Sequence, residues 1–491
     1  MIYLSAQPDT EYFLWQIEVL ILNLKNMGIQ KDDIHVLVSF NKNDGVNKNF
    51  LRLAKKYSTD AGIFFYPDNR IRHTYISTIR PHIISQHFEK FPFLSKKAIF
   101  YHDSDIVFTT SLPKSIKQME EDDIVYMSDT SSYLNIAYIN SRGKNILNEM
   151  TSIIGISVDT VIQNDNNAGG AQVILKKVDH KFWRKIEDDS HNLFCYLKSN
   201  ESRHQAEFEK ENPGIKAKLV SSWCADMWAM LWNCFLNFEV KVHPELAFCW
   251  PHESRNSWNE RYIFHNAGVD QSEKRRCFFK TDYYNYSPYN EDLSFVVQDS
   301  CSSIYTDLVK AAYSKPSYLL ENTTFFLFGD IQDSLTERYI RQFYNGPIYI
   351  LDNMEVLNKV LFQKVETDTI TFYNANYIVD PSKLDAIQNV SRNKVCTCVG
   401  YEIQLLPQSV VNKFNHSLDY SFLSKYCSLD NINFLHRYSA LCIEITSLEN
   451  LIDKTNITPY NSFLRDLTNE MDLNYKIKNI DQNITLNYRV M

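Results

Sequence analysis

The sequence predicts an α/β fold with a mainly parallel, helix-covered sheet, followed by a smaller, helix-rich α/β domain. Two observations predict this fold. Strand and helix patterns alternate through the first half of the chain, which is typical of βαβ units. A buried apolar run at residues 98–101 leads into Asp103 and Asp105. Because open α/β sheets bind ligands at the carboxyl ends of their strands, these two aspartates mark the candidate site.

The strand patterns are short apolar runs, and the helix patterns carry apolar residues on one face. We expect strands at residues 2–4, 34–38, 62–66, 98–101, 124–127, 134–138 and 171–175. We expect helices at residues 11–27, 49–57, 74–88, 181–197 and 225–238. Pro81 lies inside the third helix pattern, so that helix is expected to kink or to begin late.

The 491 residues are too many for one compact domain. A segment rich in Tyr, Ser and Asp near residue 282 indicates a boundary, and we predict a first domain at 1–290, a linker at 291–316 and a C-terminal domain at 317–491. Strands are expected at 325–328, 348–351 and 369–372, with helical patterns from there to the C-terminus. Gly329-Asp330, after the first of these strands, resembles a second ligand-binding edge.

Composition excludes some function classes. The net charge of −8, from 51 basic and 59 acidic residues, argues against a nucleic-acid-binding surface. We find no apolar run of the roughly 18 residues that span a bilayer, and the N-terminus lacks the basic segment of a signal peptide. The ten cysteines are scattered, which favours reduced thiols. We therefore expect a cytoplasmic protein without a transmembrane segment, either free or peripheral at the inner membrane face.

Asp103 and Asp105 offer the hard oxygen ligands that Mg²⁺ and Mn²⁺ prefer. Acidic pairs are more often solvated or helix-capping, but a pair directly after a buried strand favours a metal site. His265 is the candidate third ligand because the Asn-x-Gly turn after it lets the backbone pass close to phosphate. His252 is the competing candidate. Most histidines in a chain of this size are structural.

The segment from Asn167 to Gln172 contains two adjacent glycines, Gly169 and Gly170, in a chain that has only 12 glycines. Such a pair allows close approach of the backbone to a ligand, and an ordinary turn is an equally good interpretation. We take Asn167, Gly169 and Gly170 as candidate ligand-binding residues. Gln172 is a candidate catalytic residue.

Asp226 lies in the first turn of an aromatic-rich helix pattern. Its carboxylate either caps the helix or is stabilised by the helix dipole, or it orients or deprotonates an acceptor hydroxyl. Trp223, just before it, either packs in the core or stacks on a sugar. Arg80 is a candidate for binding a diphosphate or the metal carboxylates, against the commoner case of a solvated arginine. Lys280 is the candidate best placed for the diphosphate within the basic cluster that follows His265.

These motifs, in this order, resemble the GT-A glycosyltransferases. Asp103-Ser104-Asp105 resembles the metal motif of that class. Asn167-Ala168-Gly169, Asp226 and His265-x-x-Gly268 resemble the acceptor loop, the acidic helix start and the metal histidine of glycogenin-like retaining transferases. The N-terminal residues 3–7 and 11–16 are similar to the opening of peptidyl serine and hydroxyproline glycosyltransferases. The resemblance covers roughly residues 1–290.

The resemblance implies a Rossmann-like nucleotide-sugar domain whose first βα turn, at Ser5, Ala6 and Gln7, binds the nucleotide. Glycogenin-like enzymes continue after the histidine motif with Lys-Pro-Trp, whereas this chain reads Gly268-Val269-Asp270, which leaves the diphosphate lysine open.

We therefore expect a metal-dependent glycosyltransferase that moves a hexose or pentose from a nucleoside diphosphate sugar to a hydroxyl of a glycan or glycoprotein. A UDP-sugar is the first candidate donor, and polysaccharide biosynthesis is the expected setting. A non-catalytic carbohydrate-binding or nucleotide-binding scaffold and a nucleotidyltransferase with the same carboxylates are the alternatives. The C-terminal domain is expected to recognise substrate or to form oligomers.

Overall fold

The structure is a computed structural model, and it describes residues 1–284, 286–312, 320, 322–328, 335–350, 365–388, 394–399, 401–402, 411, 438–444, 476–479 and 484–486. The chain divides into two compact units. The first comprises Met1–Val269 and Gln298–Ile304, and the second comprises Asp270–Val297 and Tyr305–Met491. The domain limits at residues 290 and 317 stay predictions.

The first unit alternates strands with helices. Its strands are β1 (Ile2–Pro8), β2 (Ile34–Phe40), β3 (Gly62–Pro67), β4 (Ile99–Tyr101), β5 (Ile106–Phe108), β6 (Val125–Asp129), β7 (Gly169–Leu175), β8 (Val240–Val242), β9 (Phe248–Cys249) and β10 (Ile263–His265). Its helices are α1 (Glu11–Asn26), α2 (Lys48–Lys56), α3 (Ile79–Lys90), α4 (Lys114–Gln118), α5 (Ser131–Leu134), α6 (Ile136–Asn140), α7 (Ile146–Ile154), α8 (Val158–Asn164), α9 (His180–Ser199), α10 (Glu201–Glu211), α11 (Ala225–Asn237) and α12 (Arg255–Glu260).

The main sheet of this unit has the strand order β3-β2-β1-β4-β7-β6-β8. Strand β7 runs antiparallel to both of its neighbours, and the other pairings are parallel. Leu4 packs into a core with α3, α9 and α11 on one face, while Tyr3 packs with α1 and α2 on the other. Because helices cover both faces, β1 and β2 are almost wholly buried. The mainly parallel, helix-covered sheet that the sequence predicts is confirmed.

Most predicted elements of the first unit are present within a few residues of their expected ends. The third helix does begin late: a 3₁₀ turn occupies Ile76–Thr78, and α3 starts at Ile79, so that Pro81 lies in its first turn, where proline is tolerated. The strand predicted at residues 134–138 is wrong, because α5 and α6 occupy it. The Asn135 side chain caps α6 by accepting from the Tyr138 backbone N–H at 2.8 Å. A short apolar run cannot by itself distinguish a strand from a buried helix.

The first unit also contains a small second sheet with the strand order β5-β10-β9. Strand β5 directly follows Asp105 in the chain, and β10 ends at His265. Strand β10 runs antiparallel to β5, with His265 opposite Ile106. This register brings the end of β10 next to Asp105, the residue that precedes β5.

The second unit is also α/β. Its strands are β11 (Thr323–Phe328), β12 (Ile348–Ile350), β13 (Thr369–Asn374), β14 (Tyr377–Ile378), β15 (Lys394–Val399), β16 (Tyr401–Glu402), β17 (Tyr438–Glu444), β18 (Lys476–Asn479) and β19 (Ile484–Leu486). Helices α14 (Leu335–Ile340) and α15 (Pro381–Gln388) lie between strands, and α13 (Cys301–Ala312) begins in the first unit.

The larger sheet of the second unit has the strand order β12-β11-β13-β17-β15-β18-β19, and β14 pairs with β16. The three strands predicted here correspond to β11, β12 and β13. Beyond Gln388, where the sequence indicates helical patterns, the described residues include five strands, β15 to β19. Gly329-Asp330, the candidate second ligand-binding edge, lies outside the described residues. Among the described residues, no helix combines the length and the apolar character needed to cross a bilayer.

Three buried polar side chains connect β2, β3 and α3. The Tyr66 hydroxyl lies 2.6 Å from His87 Nδ1, and His87 Nε2 lies 2.9 Å from His35 Nδ1. Burial lowers the pKa of His87 to about 3 and also lowers the pKa of His35. The His87 ring is therefore neutral in the folded protein at pH 5 to 7.

We predict that this network makes the first unit sensitive to acid. An unfolded histidine binds a proton below about pH 6.5, whereas folded His87 does not until about pH 3, so stability falls as the pH drops between these values. Between pH 7 and pH 5 a His87→Gln variant should lose about 2 kcal/mol less than the wild type. Urea unfolding followed by tryptophan fluorescence measures this, because all seven tryptophans lie between residues 15 and 258.

The exposed His252 provides the matched control, since His252→Gln should keep the pH dependence of the wild type. Equal acid sensitivity of His87→Gln and the wild type would contradict the assignment.

Candidate functional site

Three ligand-type side chains converge where β4 and β5 meet the end of β10. Asp103, Asp105 and His265 each place one ligand atom within 4.8 Å of the others. His265 Nε2 lies 3.6 Å from Asp103 Oδ2 and 3.4 Å from Asp105 Oδ1. Asp105 and His265 are buried, and Asp103 is partly exposed. The structure thus brings together the three predicted metal ligands from positions about 160 residues apart in the chain.

The donor set fits a divalent cation. Two carboxylates and one imidazole match the ligand preferences of Mn²⁺, and three protein ligands leave coordination positions for phosphate oxygens. The His265 ring is fixed by Trp250, which stacks on it at 6.1 Å with an interplanar angle of 11°. His252, the competing candidate, is exposed and does not belong to this cluster.

The turn that follows His265 requires a glycine at position 268. Its φ of +76° is in the left-handed region that favours glycine, and a Cβ there would lie 3.0 Å from the Trp250 ring. The close approach of this backbone is therefore to Trp250, the residue that orients the histidine. An approach of the same turn to phosphate stays a prediction.

Arg80 joins the metal motif to Asp226. One guanidinium nitrogen donates to Asp103 Oδ1 and the other donates to Asp226 Oδ2. The side chains of Arg80 and Asp226 are 26% and 11% exposed, so this bridge is largely screened from water. The sequence named all three residues, and the structure brings them into one cluster.

Tyr75 completes the surroundings of Asp226. Its hydroxyl lies 2.7 Å from Asp226 Oδ1 and 2.6 Å from the Trp223 carbonyl oxygen. Its ring stacks on Phe194 at 4.3 Å. Burial raises the pKa of Tyr75, and the neighbouring Asp226 raises it further, so the phenol keeps its proton. Sequence reasoning missed Tyr75, since nothing distinguishes it among 30 tyrosines.

Trp223 lies beside this group and is 62% exposed. Its ring meets the Tyr75 ring edge to face at 6.1 Å. The core interpretation of the tryptophan-rich segment holds for Trp228 and Trp232, which are 0% and 1% exposed. Trp223 is instead open to solvent next to Asp226.

The glycine pair starts β7, the reversed strand. A Cβ on Gly169 would lie 2.5 Å from Met127 Cβ, and one on Gly170 would lie 2.9 Å from Met227 Cε. The glycines therefore allow close packing of β7 against the protein itself. The pairing of β6 with β7 shifts register after Met127, and Ala171 adopts a φ of +59°, as in a β-bulge.

The bulge turns Gln172 into the interior. Gln172 is 0% exposed, and its Oε1 accepts from the Ser128 hydroxyl at 2.6 Å. Gln172 Nε2 is buried without a hydrogen-bond partner. The Asn167 side-chain oxygen accepts from the Val242 backbone N–H at 3.3 Å, so Asn167 connects the turn before β7 to β8.

The first strand carries further polar groups. Ser5 and Gln7 are each 1% exposed, and Ala6 between them packs into the core on the opposite face. Gln7 Nε2 donates to the Leu37 carbonyl at 2.7 Å. Ser5 Oγ and Gln7 Oε1 are buried without a partner. Such groups cost about 1–3 kcal/mol each, which favours a ligand as their missing partner.

His102 is a second residue that sequence reasoning missed. Burial lowers the pKa of His102 to about 4, so the ring is neutral at pH 7. Its Nδ1 lies 2.8 Å from the Asp103 carbonyl oxygen, and its backbone N–H donates to the Leu4 carbonyl at 3.1 Å. His102 therefore fixes the backbone of the metal motif against β1.

Lys280 belongs to the second unit, where it begins a 3₁₀ helix, Lys280–Tyr283. Its role toward a diphosphate stays a prediction.

Neither a protein-family model nor a curated protein matches the chain. Solved structures do match. The galactosyltransferase LgtC, in complex with donor and acceptor sugar analogs, is 13% identical with a TM-score of 0.33, over 65% of this chain and 98% of LgtC. The bifunctional glycosyltransferase WbbM is 12% identical with a TM-score of 0.32, over 58% of this chain and 48% of WbbM. The glycosyltransferase GlyE of Streptococcus pneumoniae TIGR4 is 11% identical with a TM-score of 0.28, over 86% of this chain and 98% of GlyE.

The Arg80 bridge leads to a prediction about metal affinity. Arg80 places a positive charge directly on Asp103, a candidate metal ligand, and therefore opposes binding of a second cation there. An Arg80→Gln variant should bind Mn²⁺ alone roughly three- to tenfold more tightly, about 1 kcal/mol. Titration of the metal followed by electron paramagnetic resonance measures the affinity.

Lys177→Gln removes an exposed positive charge, paired with Asp123, and should leave the Mn²⁺ affinity unchanged. Weaker Mn²⁺ binding by Arg80→Gln than by the wild type would show that Arg80 supports the ion.

Proposed function

We propose that the chain is a metal-dependent glycosyltransferase that moves a sugar from a nucleoside diphosphate sugar to a hydroxyl acceptor. The observation that carries this proposal is the convergence of Asp103, Asp105 and His265 at the carboxyl edge of the sheet. Two carboxylates and an imidazole, two of them buried, suit a divalent cation that also binds a diphosphate. The fold and the polar groups around the cluster support the same activity.

Asp103, Asp105 and His265 would hold the ion. When bound, the ion would neutralise the charge that develops on the departing diphosphate. Arg80 pairs with Asp103 of this set, so its guanidinium is a protein cation close to that charge. Trp250 and His102 keep the ring of His265 and the backbone of Asp103 in place.

The donor side is built by the end of β1. Parallel strands β1 and β4 place the Ser5–Gln7 segment beside the residues that follow β4. The buried atoms without partners, Ser5 Oγ and Gln7 Oε1, are candidate contacts for the nucleotide. A UDP-sugar is the first donor to test, and Lys280 remains a candidate for its diphosphate.

The acceptor side is built by α11 and the start of β7. Asp226 is the candidate that orients or deprotonates the acceptor hydroxyl, and Tyr75 and Arg80 fix its two oxygens. The exposed Trp223 ring offers a face on which a sugar can stack. Asn167, Gly169, Gly170 and Gln172 lie along the same edge and are candidate acceptor-side residues, with Gln172 Nε2 available for a hydrogen bond. We propose a cytoplasmic or peripheral setting in glycan assembly.

Removing one buried metal ligand tests the proposal. Asp105→Asn should lower Mn²⁺ affinity at least tenfold and sugar transfer at least 100-fold, because a metal ligand and its charge are lost. Asp123→Asn is the control, since Asp123 is exposed and precedes β6 at the opposite edge of the sheet. The measurement is release of UDP, GDP, CMP or dTDP from the corresponding nucleotide sugars, with EDTA and added Mn²⁺.

Full activity in EDTA would refute the metal role. Release of pyrophosphate from a nucleoside triphosphate incubated with a sugar phosphate would indicate a nucleotidyltransferase. Sugar or nucleotide binding without turnover of any donor would indicate a scaffold.

A substitution of Asp226 distinguishes a role in acceptor chemistry from a role in metal binding. Asp226→Asn should weaken Mn²⁺ binding only about three- to tenfold, because Arg80 then pairs with Asp103 alone. It should lower transfer to acceptor at saturating Mn²⁺ by roughly 10²- to 10⁴-fold, the usual range for loss of a general base. Isothermal titration with Mn²⁺ and a transfer assay at saturating donor measure the two effects. Asp159→Asn, at an exposed helix position, is the matched control. Transfer within threefold of the wild type would exclude a catalytic role for Asp226.

A further inference from the structure

A cavity of about 270 Å³ lies between α3, α9 and the loop that follows β3. Its volume corresponds to roughly nine water molecules at about 30 Å³ each, enough for one sugar ring. Of its twelve lining residues only Ile71 is apolar, and Ile71 is 96% exposed. The lining is therefore made of hydrogen-bonding groups, which suits a hydroxylated ligand.

The cationic groups of the cavity are already neutralised. Each arginine of the lining is paired with a carboxylate, and the pairs are Arg70 with Asp68, Arg72 with Asp188, and Arg184 with Glu89. His82 Nδ1 likewise lies 3.0 Å from Glu187 Oε2. Paired charges present planar donors and acceptors without a strong net field, so the cavity favours a neutral polar ligand over a phosphate or sulfate.

His191, in the cavity wall, has one ring nitrogen without a hydrogen-bond partner. The residue is 9% exposed, its Nε2 lies 3.4 Å from Cys195 Sγ, and its Nδ1 is buried without a hydrogen bond. Burial lowers the pKa of His191, and Arg72 lowers it further, so the ring is neutral. A neutral ring nitrogen pairs with a hydroxyl whichever tautomer it has, because a hydroxyl both donates and accepts.

We propose that this cavity is a saccharide subsite that binds one neutral sugar residue of the acceptor glycan. The identification of the bound sugar as part of the acceptor rests on the proposed glycosyltransferase activity. The binding of a neutral sugar in the cavity does not depend on that activity. His191 Nδ1, Arg72 and Glu187 supply hydrogen bonds to the sugar hydroxyls.

The cavity is connected to the proposed acceptor site by a single loop. Arg70, in the cavity wall, donates to the carbonyl oxygens of Tyr75 and Ile76 at 3.3 and 3.2 Å. The Tyr75 hydroxyl contacts Asp226, and the Tyr75 ring stacks on Phe194, one helical turn from His191. A glycan that occupies the cavity is therefore held by the same loop and helix that position Asp226, and the preferred acceptor is an oligosaccharide.

Binding of neutral oligosaccharides to the full chain tests the subsite. The probes are linear di- to tetrasaccharides of glucose, galactose, mannose and N-acetylglucosamine in α and β linkages, with uronic acid oligosaccharides and inorganic phosphate as anionic arms. At least one neutral oligosaccharide should bind, and His191→Leu should weaken its affinity at least tenfold. His191→Gln, which keeps hydrogen-bonding groups, should lose less than threefold. Arg72→Met, at a half-exposed position that tolerates substitution, should weaken the affinity about fivefold.

Lys177→Gln is the control, because Lys177 is exposed, pairs with Asp123 and does not line the cavity. The subsite is overturned if no neutral oligosaccharide binds the wild type, if His191→Leu and Arg72→Met bind it as well as the wild type does, or if only the anionic probes bind. The Asp105→Asn variant distinguishes oligosaccharide binding from sugar transfer. Oligosaccharide binding that persists in Asp105→Asn supports the subsite, and absence of transfer by the wild type would then count against the proposed activity alone.

Discussion

The guanidinium of Arg80 holds two carboxylates from distant parts of the chain, Asp103 and Asp226, next to a third, Asp105. Like charges so close together and so poorly solvated repel one another strongly. Arg80 supplies one positive charge against these three carboxylates, because a histidine that binds a metal does so as the neutral ring. The remaining negative charge is what a divalent cation would neutralise. The other residues of the candidate site surround this excess of negative charge.

The sheet topology makes this convergence possible. The antiparallel pairing of β10 with β5 brings His265 beside Asp105, although about 160 residues separate them in the chain. The reversal of β7 brings its first residues, Gly169 and Gly170, to the edge where the parallel strands end. Close packing at the glycines and the bulge at Ala171 then direct Gln172 inward. Candidate site residues thus come together from six chain segments: β1, α3, the residues that follow β4, β7, α11 and β10.

The sequence was sufficient to predict the parts of this arrangement that have local signals. The strand before Asp103 and the helix that starts near Asp226 follow from apolar periodicity, and both are present. Tyr75 and His102 could not be predicted, because their importance lies in contacts with residues distant in sequence. The strand expected at residues 134–138 failed because the Asn135 cap outweighs a short apolar run. The packing role of Gly169 and Gly170 could not be predicted either, because the sequence does not show which residues pack against them.

Manganese bound to crystals of the full chain, located by its anomalous scattering in the presence of UDP, tests the central claim most directly. The account predicts a single strong anomalous peak bounded by Asp103, Asp105 and His265, with the UDP phosphates on its open side. It also predicts that Arg80 has moved away from Asp103. A peak elsewhere in the first unit, or none while Arg80 still bridges Asp103 and Asp226, would contradict the account.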